Sequence, residues 1–294
     1  MANTIQVLEL VDEAGNRIDF VCKRIETLFD KNDGITDEPH RHNYFTIILV
    51  KDGSGTHTID FKNFEINNSS LHVIYPGQVH SFVTPDRPSG WVFNFTSSFL
   101  ASQQINNDLV NKVYLYNSYG DTPPLYINND QFIVFEQLAQ QIIDYYQKEN
   151  EYKLDALGAL LKLFFINSAN LSCNIYQNKP PNNLVENNLL IRFKKLVDQL
   201  YSKEHKVAYY SNELSVTSDY LNKYVKSQIG KSAKELIQDK ILLEAKRSLI
   251  FSNISNKELS YQLGFDEPSH FSNFFKKFTQ TTPKNFKLEN AVQS

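Results

Sequence analysis

Hydrophobic and polar residues alternate with a period of two from Asn43 to about Phe95. Short runs of β-branched and aromatic residues, such as YFTIILV and WVFNF, are separated by clusters rich in Gly, Pro, Asn and Asp, such as KDGSG and TPDRPSG. This combination is typical of antiparallel strands joined by tight turns. The first part of the chain is therefore predicted to be an all-β domain, either a meander or a barrel.

The pattern changes to a helical period after YGDTPPLY. Two helices are predicted, one within NDQFIVFEQLAQQIIDYYQKEN and one within EYKLDALGALLKLFFINSA. The second carries an apolar stripe that is wider than one neighbouring helix needs, formed by Leu154, Leu157, Leu160, Leu161, Phe164 and Phe165. Such a stripe either packs into a core or forms the seam of a dimer.

A polar, proline-bearing stretch at 177–188, QNKPPNNLVENN, separates two regions of opposite charge. The chain has 13 Lys+Arg and 21 Asp+Glu up to Asn183, a net charge of −8, whereas 17 and 12 follow from Leu184 onward, a net charge of +5. We place a domain boundary at this stretch. Every later segment has a helical period, and its basic excess hints at an anionic partner.

The basic half contains an internal repeat with an offset of about 50 residues. Each copy has a small residue in a short helix, a tight turn, an apolar anchor, a helix cap and then a second helix. This order is that of a helix-turn-helix, in which the small residue lets the helices approach each other. The matching positions are Ser211, Leu214, Ser215, Val216, Thr217, Leu221 and Val225 in the first copy, and Ser260, Leu263, Gly264, Phe265, Asp266, Phe271 and Phe275 in the second.

A long amphipathic helix is predicted between the two copies, within AKELIQDKILLEAKRSLIF, where Ile237, Ile241, Ala245 and Leu249 repeat every four residues. This connector would hold the two units at a fixed separation. Recognition helices about 34 Å apart can enter successive major grooves on one face of DNA.

The segment ISNKELSYQLGFDEPSHFSNFFKKFTQTTPKNF resembles the second helix-turn-helix of the AraC/XylS family of bacterial transcription regulators. The shared features are a small residue, L-G-F, a polar turn, F-x-x-x-F-K-K and a closing T-P, and the resemblance extends over about 192–288. Serine replaces the family's usual alanine at Ser211 and Ser260, and Gln280 stands where glycine normally precedes T-P. The resemblance implies a cytoplasmic one-component regulator that binds DNA, more often an activator than a repressor.

Side chains for DNA contact are predicted from the faces of the two recognition helices. In the second, the phenylalanines at 271, 274, 275 and 278 define the core-facing side, so the polar residues face outward, and an asparagine there can pair with adenine. The positions that match the family's base readers are Asp219, Asn222, Lys223, Pro268, Ser269, His270 and Asn273. Phosphate contacts are assigned to Lys226, Lys231, Lys276 and Lys277.

Three histidines stand out in the β domain: His40 and His42 in PHRHNY, and His80 in YPGQVHSF. The pattern resembles the cupin barrel, in which two such histidines, a later glutamate and a third histidine hold a divalent metal. Thr46 and Ile47 occupy the positions where the glutamate is expected. We therefore expect no cofactor and no enzyme activity, and keep these histidines as the candidate ligands if a metal is held. The alternative is a metal-dependent cupin enzyme, a dioxygenase or isomerase, with a DNA-binding tail.

The resemblance also implies a sensor pocket inside the barrel, for which we select His42, Phe45, His80, Trp91 and Phe93, and a small effector such as a sugar or polar metabolite. A homodimer through about 131–171 and, for an activator, RNA polymerase are the other expected partners. Cys22 and Cys173 are expected to be buried apolar residues of a reducing compartment. The N-terminal sequence has no basic region followed by an apolar run, and no stretch reaches the ~18 apolar residues that a membrane span needs, so no membrane partner is expected.

The predicted fold is α+β, with a cupin-like antiparallel β-barrel and flanking helices ahead of an all-α domain in which a long helix joins two helix-turn-helix units. The predicted domains are a ligand-sensing β domain at 1–125, a helical dimerisation segment at 126–176, a linker at 177–188 and a DNA-binding domain at 189–294. The helix-turn-helix units are placed at about 205–230 and 254–279.

Overall fold

The computed structural model describes residues 7–12, 14–31, 38–114, 117–175, 184–252 and 254–291. They divide into two compact units. We call the first the barrel unit, which contains 7–114 and 121–175, and the second the helical unit, which contains 117–120 and 184–291. The predicted α+β class, with antiparallel sheets followed by helices, is confirmed.

Two five-stranded sheets form the barrel unit, with strand orders β1-β3-β8-β5-β6 and β10-β7-β4-β9-β2. All neighbouring strands pair antiparallel except β1 and β3, which are parallel. The strands are β1 (Val7–Leu8), β2 (Phe20–Arg24), β3 (His40–His42), β4 (Phe45–Asp52), β5 (Gly55–Ile59), β6 (Lys62–Ile66), β7 (Ser70–Ile74), β8 (Val79–Val83), β9 (Ser89–Phe95) and β10 (Leu125–Tyr126).

The central strand β4 is buried on both faces, and its alternate side chains enter two different cores. Ile48 and Val50 join the cluster between the two sheets, together with Ile66 of β6. Ile47 and Leu49 point the other way and pack against helices. The direction of each side chain on this strand therefore decides whether it can contribute to the barrel interior.

Helices cover the outer face of the second sheet. The barrel unit contains α1 (Ile25–Lys31), α2 (Ser97–Ser102), α3 (Asn107–Asn111), a 3₁₀ turn at Lys112–Tyr114, α4 (Asn129–Gln147) and α5 (Lys153–Ile175). Most of the apolar stripe of α5 belongs to the core, because Leu157, Leu161, Phe164 and Phe165 are all 1% exposed or less in the cluster that joins the sheet to α4 and α5. Leu154, at the start of the stripe, is 55% exposed.

One described helix has the length and hydropathy of a membrane-spanning segment, at Lys153–Ser172, with a mean hydropathy of 1.3. This stretch lies within α5, and 44% of it is buried inside the barrel unit. Burial of one face against a sheet accounts for its apolar composition, as it does for any core helix.

The helical unit consists of seven described helices and a short segment from the middle of the chain. The helices are α6 (Leu184–Leu200), α7 (Val207–Glu213), α8 (Ser218–Ile229), α9 (Ala233–Phe251), α10 (Asn256–Gln262), α11 (Pro268–Thr279) and α12 (Pro283–Ala291). Most of the predicted linker at 177–188 lies outside the described residues, and α6 begins at Leu184.

The connector helix α9 supplies residues to both cores of the helical unit. Its first half, including Ile237 and Ile241, packs with α6, α7 and α8. Its second half, including Ala245 and Leu249, packs with α10 and α11. A Ser232–Glu235 capping box fixes its start. Both helix-turn-helix units thus pack against the same helix.

The segment 117–120 packs onto α6 and α9. Lys194 of α6 donates a hydrogen bond from Nζ to the carbonyl oxygen of Asn117 (2.7 Å), and the Tyr119 hydroxyl donates to the carbonyl oxygen of Lys194 (3.1 Å). The ammonium group of Lys240 lies 5.2 Å from the centre of the Tyr119 ring. Burial lowers the pKa of Lys194 to about 8. A stretch that lies between barrel strands in sequence is thus part of the helical unit.

Candidate nucleic-acid interface and ligand-binding barrel

The first helix-turn-helix consists of α7 and α8. Ser211 is buried where the helices approach, and its hydroxyl lies 2.9 Å from that of Ser218. Ser215 adopts a left-handed conformation with φ of 57°, which turns the chain between the helices. The Thr217 hydroxyl accepts a hydrogen bond from the amide of Tyr220 and caps α8. These positions have the roles that the sequence repeat predicts.

The second helix-turn-helix, α10 and α11, repeats this geometry with one difference at the cap. Ser260 is fully buried, and Gly264 has φ of 80°. The predicted cap at Asp266 is wrong, because the N-cap position is Glu267, which makes no side-chain capping bond. Pro268 occupies the first turn, where its missing amide proton removes no helical hydrogen bond.

Phenylalanines fix the orientation of α11. Phe271 and Phe275 are fully buried, with their ring centres 5.9 Å apart, and Phe274 packs against the first core. Phe278 is 37% exposed, so the core-facing side ends earlier than the sequence pattern indicates. The opposite face of the helix is consequently left to solvent.

The exposed face of α11 carries Ser269, His270 and Asn273, while Pro268 at its start is half-buried. Lys276 and Lys277 are exposed in the last turn. His270 and Asn273 are three residues apart and hence neighbours on the helix surface. The structure therefore brings the predicted base readers of this helix together on one accessible surface.

The predicted contact residues of α8 are less uniform. Lys223 pairs with Asp219 (3.5 Å), and both side chains are more than 80% exposed. The Asn222 amide is engaged within the protein, because it donates to the carbonyl oxygen of Ser218 (3.0 Å) and its oxygen accepts from the backbone amide of Lys234 (3.4 Å). Asn222 is therefore poorly placed to read a base.

The two remaining lysines predicted for this unit also differ. Lys231 forms an ion pair with Asp239 (2.7 Å), which weakens its assignment to phosphate, whereas Lys226 is exposed on α8. Sequence reasoning did not select Tyr220, which is 47% exposed at the start of α8. Only its place in the repeat frame, next to Asp219, could have indicated it.

Gly264→Ala should destabilise the helical unit by about 2 kcal/mol, since φ of 80° is unfavourable for alanine and the added Cβ would run into the carbonyl oxygen of Ser202. Ser215→Gly is the matched control, because it places glycine at the equivalent turn, where φ is already positive. Urea denaturation followed by circular dichroism should show a lower midpoint for Gly264→Ala and an unchanged or higher one for Ser215→Gly. Equal stability of Gly264→Ala and wild type would contradict the close approach.

Inside the barrel unit, four buried histidines contact one another in series: His42, His80, His57 and His72. The Nε2 atoms of His42 and His80 are 3.0 Å apart, Nδ1 of His80 lies 3.2 Å from Nε2 of His57, and Nδ1 of His57 lies 2.9 Å from Nδ1 of His72. Burial lowers the pKa of all four below the usual value, to about 4 for His42 and about 3 for His72.

His40 and His80, with ring centres 4.4 Å apart, extend this cluster toward the surface. The ligand atoms of His40, His42 and His80 all lie within 4.8 Å of one another. The sequence pattern selected these three but missed His57 and His72, which stand in unremarkable strand sequences. Alternation within β5 and β7 could have placed them inward, but only with the sheet register known.

The five residues predicted to line one effector pocket do not share one surface, so this prediction is wrong. His42 and His80 belong to the interior cluster, and so does Thr46, whose hydroxyl lies 3.2 Å from Nε2 of His42. Phe45, Trp91 and Phe93 instead lie in the core between the second sheet and the helices; the Phe93 ring, for instance, contacts Phe164 of α5. Odd-numbered residues of β4 and β9 face the helices, and even-numbered residues face the barrel interior.

A separate cleft of about 280 Å³ opens on the barrel unit. Polar and apolar surfaces both line it, and two of its lining residues, Arg17 and Glu9, form an ion pair (3.0 Å). It is lined by Glu9, Leu10, Arg17, Ile18, Asp19, Asn43 and 96–98.

Comparison with protein families assigns both units. A family described as "Helix-turn-helix domain" matches residues 210–288, and one described as "AraC-like ligand binding domain" matches residues 25–97. The chain belongs to the AraC family of transcription regulators. As an AraC-family protein, it is a DNA-binding transcription regulator with an effector-binding domain, and the predicted family is confirmed.

Full-length relatives of this AraC-family chain include the HTH-type transcriptional activator RhaS of Escherichia coli K12, strain DH10B, which is 21% identical over 250 residues, covering 84% of this chain and 86% of RhaS. RhaS of Escherichia coli CFT073 is also 21% identical, over 252 residues.

Among solved structures, ToxT of Vibrio cholerae matches with 17% identity and a TM-score of 0.42, covering 92% of this chain and 98% of ToxT. The C-terminal domain of the response regulator yesN of Fusobacterium nucleatum matches with 26% identity and a TM-score of 0.31, covering 32% and 93%. With TM-scores below 0.5, neither likeness contributes to the assignment.

Proposed function

We propose that this protein is an effector-responsive activator that reads DNA through α8 and α11 in successive major grooves. The observation that carries the proposal is the duplication of an exposed polar helix face on two units seated by one rigid connector, α9. Base reading is assigned to His270, Asn273, Ser269 and Pro268 of α11, and to the Asp219–Lys223 pair of α8. Effector binding would change which half-sites the paired proteins span.

Phosphate contacts are assigned to Lys226, Lys276 and Lys277, whose side chains are exposed in the last turns of the two recognition helices. Asn222 and Lys231 become weaker assignments because each already has a partner within the protein.

Lys226→Ala should lower the slope of log Kobs against log salt concentration by about one on any DNA sequence, because one fewer counterion is released on binding. Lys148→Ala, which removes an exposed lysine from the barrel unit, is the control and should leave the slope unchanged. The measurement is fluorescence anisotropy of labelled duplexes over a series of salt concentrations. An unchanged slope for Lys226→Ala would remove it from the phosphate contacts.

A homodimer through the predicted segment at 131–171 would use the outer face of α5, since the inner face is committed to the core. Leu163 and Ile166 are 46% and 41% exposed on this outer face, with the small Ala159 one turn before them. Exposed apolar side chains grouped on one helix face are a common mark of a protein–protein interface.

Leu163→Asp and Ile166→Asp should each convert a dimer to a monomer, because a buried, unpaired carboxylate strongly disfavours association. Leu154→Asp is the matched control, since Leu154 is 55% exposed on the same helix but lies about 180° around the helix axis from Leu163. Sedimentation at micromolar concentration gives the readout. Wild-type protein that sediments only as a monomer, or variants that remain dimers, would contradict the proposal.

The effector is proposed to be a small polar molecule or sugar, and the cleft lined by Arg17, Asp19 and Asn43 offers hydrogen-bonding groups to such a ligand. No catalytic activity is proposed, because among the described residues no carboxylate joins the histidine group of the barrel. Action on DNA implies a cytoplasmic location and, for an activator, contact with RNA polymerase.

A further inference from the structure

The two recognition helices show the same pattern of exposure, position by position. In both, the first six residues are half-buried, exposed, exposed, buried, half-buried and exposed, over 218–223 in α8 and over 268–273 in α11. Their N-cap residues, Thr217 and Glu267, are also 50 positions apart. Each residue of α8 therefore has the same position on its helix as the residue 50 positions later in α11.

The fifth residue of each helix makes a contact within the helix. The Asn222 amide donates to the carbonyl oxygen of Ser218 (3.0 Å), and the Ser272 hydroxyl donates to the carbonyl oxygen of Pro268 (2.9 Å). The two contacts span the same four-residue interval at the same point of each helix. Because the contact occurs in both copies, Asn222 stabilises α8 and leaves the reading of bases to its exposed neighbours.

Tyr220 has the position in α8 that His270 has in α11. Each is the third residue of its helix, and each side chain is exposed. The N-terminal residues of a recognition helix are those that contact base edges in the major groove. Since His270 is assigned to base reading in the proposed function, the repeat assigns Tyr220 to the same kind of contact.

The Tyr220 ring is oriented by contacts within α8. It packs nearly parallel to the ring of Tyr224, one helical turn later, with an angle of 11° between the rings and 6.1 Å between their centres. Tyr224 is only 8% exposed, whereas Tyr220 is 47% exposed. The amide of Tyr220 donates to the Thr217 hydroxyl (3.2 Å), which fixes the backbone at the start of the helix. A tyrosine held in this way offers a large contact area at a low cost in conformational entropy.

The exposed neighbours of Tyr220 on this face of α8 are charged. Asp219 and Lys223 pair with each other (3.5 Å), so Tyr220 is the residue of these three that offers apolar surface. In the major groove, the C5-methyl group of thymine is the apolar feature of the base edges, and apolar side-chain atoms recognise it. The ring therefore suits thymine better than any other base.

We propose that Tyr220 determines sequence specificity in the first helix-turn-helix, through contact of its ring with the C5-methyl group of a thymine in the half-site that α8 reads. The inference rests on the proposed function, in which α8 enters a major groove, and adds to it a base that this helix prefers. The contact uses the ring carbons, so the Tyr220 hydroxyl contributes little to it.

The test uses the full-length protein and a site that it selects from a random library. Each thymine of the site is replaced in turn by deoxyuridine, which lacks only the C5-methyl group, and dissociation constants are measured at one salt concentration. For wild-type protein, one replacement should weaken binding about fourfold, the effect expected for one buried methyl group. Tyr220→Ala should lose the sensitivity to that replacement, whereas Tyr220→Phe, which keeps the ring, should retain it.

His270→Ala is the matched control, since it changes the equivalent residue of α11 and should leave the effect of that thymine intact. The readout is the ratio of the two dissociation constants for each variant, so it does not depend on the fraction of protein that is folded. The proposal is overturned if no replacement weakens wild-type binding, if Tyr220→Ala keeps the full sensitivity, or if Tyr220→Phe loses it. These three outcomes leave the DNA-binding function standing, whereas failure to select any specific site would contradict that function and this inference together.

Discussion

Phe271→Ala should destabilise the helical unit by about 3–5 kcal/mol. The Phe271 ring is fully buried, with its centre 5.6 Å from that of Phe265 and 5.9 Å from that of Phe275. Its truncation leaves a cavity beneath α11, where the second recognition helix is attached to α9 and α10. Both the free energy of unfolding and the affinity for DNA should decrease, because α11 loses packing contacts with α9 and α10.

Phe278→Ala is the matched control in the same helix, since Phe278 is 37% exposed and its removal should change stability by less than 1 kcal/mol. Urea unfolding followed by circular dichroism reports the helices of both units, while fluorescence of the single tryptophan, Trp91, reports the barrel unit alone, so a difference between the two signals isolates the helical unit. We expect the circular dichroism midpoint to fall for Phe271→Ala and the Trp91 transition to stay in place. Similar effects of the two substitutions would show that the packing of α11 is not as described.

His270→Ala and Asn273→Ala should each weaken binding to the specific site by about 1–3 kcal/mol, with little effect on binding to random DNA. Both side chains are exposed on the face of α11 opposite to Phe271 and Phe275, where they can meet base edges without rearrangement of the helix. Neither substitution should alter stability, because neither residue is buried. The loss is therefore expected in the ratio of specific to non-specific affinity.

The measurement compares dissociation constants for a selected site and for random duplexes at one salt concentration, because affinity for DNA depends strongly on salt. Asn285→Ala, at an exposed position in α12, is the control and should behave as wild type on both. If His270→Ala and Asn273→Ala weaken binding to both DNAs equally, these residues contact the backbone or act indirectly, and their assignment as base readers is wrong.

The helical unit was predictable from sequence because its repeat supplies two independent copies of the same constraints. A small residue at Ser211 and Ser260 and a turn at Ser215 and Gly264 can be recognised without knowing any long-range contact. The one misplaced cap, at Asp266, reflects an added residue in the second turn, which moves the N-cap of α11 to Glu267. Local sequence chemistry determines that a helix forms, whereas the residue at which the helix begins or ends depends on the geometry of the adjoining turn.

The interior of the barrel was not predictable to the same degree. Phe45, Trp91 and Phe93 have the composition of a pocket lining, yet strand parity directs them into the core beneath α4 and α5. Because β4 is buried on both faces, its sequence lacks the polar alternation that would identify the inner side. His57 and His72 were missed for a related reason, since only the pairing register of the sheets brings them to His80.

The burial of Leu157 and Phe164 changes how a dimer can be tested. From the sequence alone, the apolar stripe that contains them could belong either to a core or to a dimer seam. A charged substitution in the stripe would then have been the obvious test of dimerisation. Since both side chains are fully enclosed in the barrel unit, such a substitution would unfold the unit rather than separate two protomers. The informative positions are Leu163 and Ile166 on the opposite face.

The central claim, that two recognition helices read successive major grooves, is tested most directly by methylation-interference footprinting. The DNA would be a site selected from a random library by the full-length protein. The result predicted for one protein chain is two clusters of major-groove positions at which methylation prevents binding, on one face of the duplex, with centres about 10–10.5 base pairs apart. Loss of one of the two clusters in His270→Ala would assign that cluster to α11. A single cluster per chain, or two on opposite faces of the duplex, would contradict the account.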